Sequence, residues 1–442
     1  MSDLIPVLNL SRAKQLFGPH TLPPGQWTDL PRELAATLAN KLDYRVDSQD
    51  LIGDYCFAER DMVYLGWSSP LHYADGYGSI AQEIARAFLE DPKVRLSIFP
   101  RDYDPGHFRF GGYALEDWEE KAFVPRPIIA RLSELQDRCF YGINMTWPRD
   151  LHRYPFPRAI GLTMFETSRP PSAWAQYMNR CRRIVVPCKQ NKEAFEGIGV
   201  TVPIHVVNLG VNPDAWPYVD RSVSGEAPSP FTFLMAAGLT HRKNPVGAAR
   251  AFVAAFPQEP DVRLILKTRG TQTVAGFRDW AVDLPNDERI RLVCEESTPR
   301  QMHDWMAHAN AFVFPSRGEG FGLTPLQAMA TGLPTIVSDN SGMSEYADSR
   351  YCYPLPCEAV PVPRTPVEGG FPIDWGDVGD WWEPDFDALV ATYQQVYRNY
   401  TKALDRGKRA AEAVRERWTI ERTAAGILDV VMQDAREDGL LE

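Results

Sequence analysis

The chain lacks several features that mark common classes of protein. Its seven cysteines are scattered along 442 residues without a CxxC pair, which argues against a zinc site or a disulfide framework. No apolar run approaches the ~20 residues of a membrane-spanning helix. The N-terminal MSDLIPVLNLSRAKQLF has no basic stretch followed by an apolar one, as a signal peptide would have. We therefore expect a cytoplasmic protein; peripheral attachment to a membrane stays open.

The chain also lacks an excess of positive charge. Its formal net charge of −11 argues against general binding to nucleic acids or anionic membranes, although a local basic segment, CRRIVVPCKQNK, stays a candidate surface. Hydrophobic residues make up 44% and charged residues 24%, as in ordinary globular proteins. At ~150 residues per domain, the length predicts two or three domains.

Strand-like and helical segments alternate in two parts of the chain. The strand DMVYLGW precedes the helix SIAQEIARAFLED in the first part, and FTFLMAAG precedes PVGAARAFVAAF in the second. This alternation predicts an α/β fold with two Rossmann-like, doubly wound domains that face a cleft and bind ligands at the carboxyl ends of parallel strands. The predicted parts are an N-terminal extension of the first domain (1–50), a first Rossmann-like domain (51–210), a linker (211–230), a second Rossmann-like domain (231–384) and C-terminal helices (385–442).

Three other segments carry local signals of their own. FGPHTLPPGQW indicates a loop, and LPRELAATLANKL indicates a helix. Pro354–Pro372 predicts a proline-dense loop, and whether it shapes the site or contacts a second subunit stays open. FDALVATYQQVYRNYTKALDRGKRAAEAVRERW predicts a long helical stretch.

The segment MAAGLTHRKNPVGAARAF combines a strand end with a helix start. The strand ends near Gly238, Asn244 is a good helix N-cap, and Pro245 suits the first helical turn. Arg242 and Lys243 then lie at the mouth of a helix, where free amides and the helix dipole already favour an anion. We expect a phosphate or pyrophosphate site here, with Lys267 at the end of the next strand; a solvated loop with two surface cations is the alternative.

A second segment, EGFGLTPLQAMATG, also opens a helix. Thr324 is the expected N-cap, Pro325 the first helical residue, and Gly332 the stop. Gly320 and Gly322 let the backbone approach a ligand closely, and the amides from Phe321 through Leu323 to Thr324 can face an anion or sugar hydroxyls. Glu319 suits sugar hydroxyls, or else caps amides of the turn. Gln327 either contacts a ligand or closes a capping box with Thr324.

These residues carry a resemblance to a known family. EGFGLTPLQAMATGLPTIVSDNSGMSE resembles the donor-site motif of the retaining glycosyltransferase family 4, which has the GT-B fold. HRKNPVGAARAF resembles the family's basic diphosphate-binding segment, although Leu239 stands where a basic residue is usual. HVVNLGVNPDAW is similar to the passage between the domains. The resemblance extends over roughly residues 60 to 430 and implies C-terminal helices that cross back to the first domain.

The resemblance implies roles for the residues of the second half. Arg242, Lys243 and Glu319 are the expected catalytic residues, with the two cations holding the donor diphosphate. The donor side is expected to include Gly238, Lys267, Cys294, Gly320, Phe321, Gly322, Leu323, Thr324 and Gln327. Gln327 occupies the place of a second glutamate that binds the ribose hydroxyls, and an amide can also hydrogen-bond a diol.

In the family, the first domain binds the acceptor. DGYGSIAQEIARAF resembles its glycine-rich loop before a helix, in which Gly76, Tyr77 and Gly78 reach the donor phosphates or the acceptor; a plain helix-start turn is the alternative. Glu166, expected at a strand end, orients an acceptor hydroxyl or pairs with Arg169. Asn144 and Trp147 line the acceptor pocket in this scheme, since Trp is a good stacking surface for sugars.

The resemblance implies a retaining, metal-independent transfer of a sugar from a nucleotide sugar, such as a UDP- or GDP-sugar, to an acceptor hydroxyl. No cofactor is expected, and the DYD at Asp102 to Asp104 is interpreted as surface. His72 and His241 are the histidines of interest, without a catalytic role. The acceptor stays open among a glycan, a lipid-linked sugar and a small molecule, as does a homo-oligomer. The alternatives are a catalytically weak sugar-nucleotide-binding protein and an enzyme that glycosylates modified nucleic-acid bases.

Overall fold

Two compact units make up the chain. The computed structural model describes residues 4–9, 15–17, 20–22, 27–31, 34–35, 44–46, 63–69, 76–100, 140–153, 156, 158–221, 228–238, 240–269, 283–364 and 371–441. The first unit comprises residues 1–162, 180–183 and 427–442, and the second comprises 163–179 and 184–426. Of the C-terminal helices expected to cross back to the first domain, only residues 427–442 belong to the first unit. The predicted domain boundaries stay a prediction.

The first unit contains a parallel sheet preceded by small antiparallel sheets. Strand β6 is buried along its whole length, as expected for a parallel strand covered on both faces. β6 pairs with β7 and β8, and β8 pairs with β9, which gives the order β9-β8-β6-β7. The elements are β1 (Leu4–Asn9), β2 (Gln15–Phe17), β3 (His20–Leu22), β4 (Trp27–Pro31), β5 (Tyr44–Val46), β6 (Val63–Ser69), α1 (Gly76–Glu90), β7 (Val94–Pro100), β8 (Phe140–Met145) and β9 (Ala159–Leu162).

The N-terminal prediction is partly wrong. FGPHTLPPGQW contains β3, which pairs with β2 in an antiparallel hairpin, so it is not a loop throughout. β1 pairs antiparallel with both β4 and β5, and backbone pairing of this kind overrides the local proline and glycine signals. β4 includes the first two residues of the predicted helix LPRELAATLANKL, of which only Leu34 and Ala35 are described as helical.

The chain then continues through alternating strands and helices. β12 to β17 form one parallel sheet in the order β14-β13-β12-β15-β16-β17. The elements are α2 (Ala175–Met178), β10 (Arg183–Val186), α3 (Lys189–Gly197), β11 (Ile204–Val206), β12 (Phe231–Ala236), α4 (Pro245–Ala255), β13 (Val262–Thr268), β14 (Ile290–Cys294), α5 (Pro299–His308), β15 (Ala311–Phe314), α6 (Leu323–Ala330), β16 (Thr335–Ser338), β17 (Tyr353–Leu355), β18 (Cys357–Pro361), β19 (Asp380–Pro384), α7 (Phe386–Arg398), α8 (Tyr400–Arg417) and α9 (Ile420–Glu437).

An aromatic core packs the six-stranded sheet against its helices. Phe231 and Phe233 of β12 are fully buried, and Phe233 meets Tyr393 of α7 with ring centroids 4.8 Å apart. Tyr400 of α8 lies 5.0 Å from Phe231. Burial of such rings supplies a large apolar area and fixes the sheet on this face. The carboxyl ends of the strands are left to carry the loops described below.

Two helical or loop predictions need correction in the second unit. The long stretch predicted from Phe386 onward is two helices, because Asn399 leaves the helical conformation with φ −118° and ψ 44° between α7 and α8. The proline-dense segment Pro354–Pro372 contains β18, which pairs antiparallel with β19. Residues 365–370 of that segment, and most of the predicted helix AGFRDWAVDL, lie outside the described residues.

The end of α9 is fixed within the first unit by ion pairs. Asp434 accepts hydrogen bonds from Arg182 at 2.6 Å and from Arg183 at 2.7 Å. The side chains of Arg183 and Asp434 are only 6% and 4% exposed. Asp438 pairs with Arg182 at 2.6 Å and with Arg158 at 3.2 Å. None of the helices in the described part of the chain combines the length and apolar character that crossing a bilayer requires.

Replacing Asp434 tests this ion-pair cluster. Asp434→Asn removes the buried counter-charge of Arg183 and leaves that guanidinium only the largely exposed Glu437, which costs about 3 kcal/mol of the free energy of unfolding. Asp429→Asn, at an exposed position of the same helix, is the matched control and should cost less than about 0.5 kcal/mol. Urea unfolding followed by circular dichroism measures both; equal midpoints would show that the cluster does not stabilise the unit.

Candidate functional site

The first wall of the site is the loop between β12 and α4. Asn244 caps α4 as predicted: it has a left-handed backbone with φ 59°, and its Oδ1 accepts a hydrogen bond from the Gly247 amide at 3.1 Å. Pro245 is the first helical residue, also as predicted. Arg242 and Lys243 therefore immediately precede the mouth of α4. Gly238 lies just beyond β12, and Leu239 lies outside the described residues.

The second wall is the loop between β15 and α6, and here the predicted helix start is wrong. α6 begins at Leu323 and its N-cap is Gly322, which has a left-handed backbone with φ 87°. Glycine takes this conformation without the steric cost of a Cβ atom. Thr324 is consequently the second helical residue. No side chain caps this helix, so the capping box between Thr324 and Gln327 is wrong as well. Gln327 lies one turn further on and is half-buried.

Four charged side chains meet where these two loops approach each other. Lys243 Nζ lies 2.6 Å from both carboxylate oxygens of Glu319. Arg242 Nη1 lies 3.3 Å from Glu319 Oε1, and Arg242 Nη2 lies 3.4 Å from Glu166 Oε1. We call Glu166, Arg242, Lys243 and Glu319 the charge quartet. Their side chains are only 9–18% exposed, so each charge depends on the others for compensation.

Hydrogen bonds fix Glu319 at the centre of the quartet. Ser316 Oγ donates to Glu319 Oε1 at 2.6 Å, and the Glu319 amide donates to Ser341 Oγ at 2.9 Å. The Gly342 amide donates to the Glu319 carbonyl at 3.1 Å. Ser341 follows β16. Its position at the carboxyl end of a parallel strand could therefore have been predicted by the rule that indicated Arg242 and Lys243. We did not predict Ser316 or Ser341.

Burial and pairing set the protonation of the quartet. Burial alone raises the pKa of Glu319, but Lys243 and Arg242 outweigh it and hold that pKa below its usual value. Burial lowers the pKa of Lys243, and Glu319 only partly opposes the effect. Burial also works to lower the pKa of Arg242, yet the carboxylates of Glu166 and Glu319 leave it raised. At neutral pH Arg242 is charged and Glu319 is ionised, and the ammonium of Lys243 holds its proton less firmly than usual.

Glu166 does not lie where the sequence placed it. β9 ends at Leu162, so Glu166 is beyond a strand end rather than at one, and it belongs to the second compact unit. The alternative, an ion pair with Arg169, is also wrong, because Arg169 pairs with Asp377 at 2.7 Å. Glu166 pairs with Arg242 instead. The cause is the close approach of residues 163–169 to the loop after β15, a contact between distant parts of the sequence.

Other predicted donor residues lie around the quartet or at the same sheet edge. Lys267 ends β13, is 3% exposed, and donates from Nζ to the Glu295 carbonyl at 2.6 Å, so it does not join the quartet. Cys294 is exposed at the end of β14. Phe321 is buried and meets Tyr346 edge-on at 5.7 Å. Gly320 is buried, and Leu323 and Thr324 are half-buried on the first turn of α6.

Apart from Glu166, the predicted site residues of the first half lie in the first unit. Gly76, Tyr77 and Gly78 form the first turn of α1, so the loop before the helix is wrong and the alternative, a plain helix start, is confirmed. Tyr77 stacks on Trp147 with centroids 6.0 Å apart and an interplanar angle of 18°. Asn144 lies in β8 and donates to the Leu151 carbonyl at 3.2 Å. His72 and Asp102 to Asp104 lie outside the described residues.

One cavity lies next to the loop that carries Arg242 and Lys243. It has a volume of about 400 Å³ and opens beside the first turn of α4, and no member of the charge quartet lines it. His241 is among its lining residues, and the His241 carbonyl accepts a hydrogen bond from Arg317. Within the described ranges, the structure brings together no group of three His, Cys, Asp or Glu side chains that could hold a metal ion.

Comparison with known proteins finds a family resemblance in the segment that carries three members of the quartet. Residues 219–352 match the family model described as "Glycosyl transferases group 1". This part of the chain is thus similar to group 1 glycosyltransferases. The match contains three members of the quartet, Arg242, Lys243 and Glu319, together with α6. Glu166 lies outside the matched residues.

Curated relatives are identical to this chain at about a quarter of the aligned positions. The lipopolysaccharide core biosynthesis mannosyltransferase LpsB of Rhizobium meliloti is 27% identical over 188 residues, which are 40% of this chain and 52% of that protein. The D-inositol 3-phosphate glycosyltransferase of Paenarthrobacter aurescens is 26% identical over 203 residues, 43% of this chain and 46% of that protein. The chain thus spans about half the length of the curated relatives it matches.

Solved structures share the fold. Sucrose-phosphate synthase from Thermosynechococcus elongatus has a TM-score of 0.58 and 16% identity, covering 84% of this chain and 98% of that one. HepE from Anabaena, in complex with UDP and glucose, has a TM-score of 0.57 and 13% identity, covering 84% and 100%. The two parallel-sheet α/β units and these likenesses confirm the predicted GT-B fold class.

Gly322 offers a stability test of the second wall. A Cβ atom at Gly322 would lie 2.6 Å from Tyr346 Oη and 2.7 Å from Met343 Cγ. Gly322→Ala therefore combines backbone strain with overpacking, and we expect it to cost about 3 kcal/mol or more. Gly199→Ala is the matched control, because Gly199 has a similar φ of 95° but a Cβ atom there would meet nothing within 4 Å, so only about 1 kcal/mol is expected. Equal losses, measured by urea unfolding, would contradict the close packing.

Proposed function

We propose that the protein is a retaining glycosyltransferase of family 4 that transfers a sugar from a nucleotide sugar to an acceptor hydroxyl without a metal ion. The observation that carries the proposal is the pair of cations, Arg242 and Lys243, at the mouth of α4 and in contact with Glu319. The match of residues 219–352 to the glycosyl transferases group 1 model supports it.

The first step of the proposal concerns the leaving group. A nucleotide sugar loses its nucleoside diphosphate as negative charge builds on the phosphate oxygens. Arg242 and Lys243 would hold those oxygens, and the N-terminus of α4 would add its dipole. Because the quartet is largely removed from solvent, each of these interactions is stronger than it would be in water.

The second step concerns the sugar and the ribose. Glu319 is an ionised acceptor fixed by Ser316 and by the amide contact with Ser341, so it would accept hydrogen bonds from donor sugar hydroxyls in one orientation. Gln327 lies one turn into α6, half-buried, where its amide would bind the ribose diol. Lys267 donates its hydrogen bonds to backbone carbonyls, so we do not assign it a direct contact with the diphosphate.

A solved structure with the same fold supports the chemistry of the proposal. The HepE structure contains UDP and glucose, which supports a nucleotide-sugar donor for this chain as well. The aromatic pair Tyr77 and Trp147, with Asn144 nearby in sequence, is proposed to contact the acceptor, because stacked rings offer an apolar face to sugars. The acceptor's class is left to experiment.

A sugar-nucleotide-binding protein without turnover is the second candidate. It is favoured by Gln327, which departs from the family's glutamate, and by a quartet whose two cations are already matched by two carboxylates. A nucleic-acid acceptor loses support, because Arg182 and Arg183 in the basic segment are paired with Asp434, Asp438 and Glu437. Transfer of radiolabelled sugar to any acceptor, or to water, separates turnover from binding alone.

A thermal-shift screen tests the donor site. UDP, GDP, ADP, CDP and dTDP, alone and as sugar conjugates, are added with and without magnesium. Stabilisation by one nucleotide, unchanged by magnesium, is expected. Lys243→Met should weaken binding of that nucleotide about 10-fold or more by removing a charge-assisted contact. Lys192→Met, at a 42% exposed side chain on α3, is the control and should bind like the wild type. No shift with any nucleotide would overturn the proposed function.

Gln327 gives a separate test of ribose recognition. Gln327→Glu should tighten nucleotide binding about three-fold to 10-fold, since a carboxylate makes stronger hydrogen bonds to a diol than an amide does. The affinity for a 2′-deoxyribose nucleotide, which lacks one hydroxyl of the diol, should increase less on this substitution. Isothermal titration calorimetry with the best-binding nucleotide and its 2′-deoxy analogue measures both gains. Unchanged affinity for both would remove Gln327 from the ribose site.

A further inference from the structure

We infer that Glu166 is a built-in counter-charge that weakens the hold of Arg242 on a bound diphosphate, and that the hairpin β18–β19 keeps it in place. The inference rests on the proposed function of the quartet as a diphosphate site. It assigns Glu166, outside the glycosyltransferase family match, to the tuning of that site rather than to the acceptor.

The position of Glu166 makes it a competitor for Arg242. The guanidinium of Arg242 points one nitrogen towards Glu319 and the other towards Glu166, at 3.3 and 3.4 Å. Lys243 forms its ion pair with Glu319. With both carboxylates present, the formal charges of the quartet sum to zero, so an arriving diphosphate meets cations that are already compensated. Removing the charge of Glu166 alone would leave a net positive charge close to the phosphates.

The other carboxylate oxygen of Glu166 supports this role. Oε2 is buried, and it has no hydrogen-bond partner among the described residues. A buried carboxylate oxygen without a partner costs free energy. The position of Glu166 therefore costs stability, and the ion pair of its Oε1 with Arg242 is the interaction that offsets this cost.

The hairpin fixes the chain on the C-terminal side of Glu166. Thr167 is fully buried, and its Oγ1 donates to the Val378 carbonyl at 2.6 Å. The Ser168 amide donates to the Asp380 carbonyl at 3.1 Å, and the Asp380 amide donates to Ser168 Oγ at 2.8 Å. Three hydrogen bonds thus join two consecutive residues after Glu166 to the start of β19 and the turn before it.

An aromatic cluster fixes the chain on the N-terminal side of Glu166. Phe165 meets Trp174 edge-on at 5.3 Å and Phe371 at 5.5 Å. Trp375 lies 5.0 Å from Trp174 and stacks on Phe371 at 5.3 Å. Phe371 and Trp375 belong to the segment that leads into β19. Glu166 is therefore clamped between a packed ring and a hydrogen-bonded threonine.

The same hairpin also contacts the loops that carry the cations. The Trp382 amide donates to the Arg317 carbonyl at 2.9 Å, and the Arg317 amide donates to the Arg242 carbonyl at 2.8 Å. Glu383 pairs with the side chain of Arg317. β19 thus links the backbone that carries Glu166 to the backbone that carries Arg242, which sets the separation of the two side chains. The proline-dense segment Pro354–Pro372, whose role the sequence left open, thus contributes a strand, β18, to the hairpin that positions Glu166.

The sign of the effect distinguishes a counter-charge from a merely structural residue. Glu166→Gln keeps the shape of the side chain and removes its charge. A counter-charge predicts tighter binding of the best-binding nucleoside diphosphate from the thermal-shift screen, by about five-fold or more. Damage to the site predicts weaker binding. Isothermal titration calorimetry on the full chain, below the melting temperature of each variant, measures the dissociation constant.

The hairpin is tested by removing the hydroxyl of Thr167. Thr167→Val should tighten binding about two-fold, because the segment relaxes away from Arg242, whereas Thr167→Ser keeps the hydroxyl and should bind like the wild type. In the Glu166→Gln background, Thr167→Val should have no further effect. Thr335→Val is the matched control, since Thr335 is also buried and donates to a backbone carbonyl, that of Leu333 at 2.8 Å.

The outcomes separate this inference from the proposed function. Tighter binding by Glu166→Gln, with the expected non-additivity of Thr167→Val, supports the inference. Unchanged or weaker binding by Glu166→Gln, with the wild type still binding the nucleotide, overturns the inference and leaves the proposed function standing. A wild type that binds none of the nucleotides overturns both.

Discussion

The ion pair between Lys243 and Glu319 is the interaction on which the site depends. Both side chains are largely buried, and a buried charge is tolerated only when an opposite charge and hydrogen bonds compensate it. Compensation requires the loops after β12, β15 and β16 to converge, because Glu319 also bonds Ser316 and Ser341. Asn244 and Gly322 have left-handed backbones, and these sharp turns let the loops bring Lys243 and Glu319 into contact.

The sequence was sufficient to predict that Arg242, Lys243 and Glu319 would lie in loops at the carboxyl ends of strands. Parallel strands place their following loops at one edge of a sheet, so the polar residues after β12 and β15 were expected at the same edge, and the adjacency of these two strands brings them together. The cap formed by Asn244 and Pro245 has a strong local signal, and the structure confirms it. The alternation of strands and helices along this part of the chain follows from hydrophobic periodicity, and all strands of the six-stranded sheet except β14 are largely buried.

The failures come from contacts that no local signal encodes. Thr324 has every residue-level property of an N-cap, but Gly322 takes that place because its carbonyl is held by the hydroxyl of Tyr346, 24 residues away. Glu166 is predicted as an acceptor-side residue until the fold brings it to Arg242. The strand β18 lies in a proline-rich segment, and its partner β19 lies across a stretch with no strand signal. Each error reflects a partner distant in sequence.

The balance of charges in the quartet explains a property of the site that no single residue explains. A site built only to bind an anion tightly would leave its cations uncompensated, whereas this one matches two cations with two carboxylates at contact distance. An enzyme gains turnover only from interactions that are stronger in the transition state than in the bound substrate or product. On our inference, carboxylates that compete for Arg242 and Lys243 reduce the hold on a diphosphate in proportion to its charge, and that charge is greatest on the released product. If the quartet binds the diphosphate as we propose, the hairpin β18–β19, by holding Glu166 beside Arg242, weakens the binding of the product.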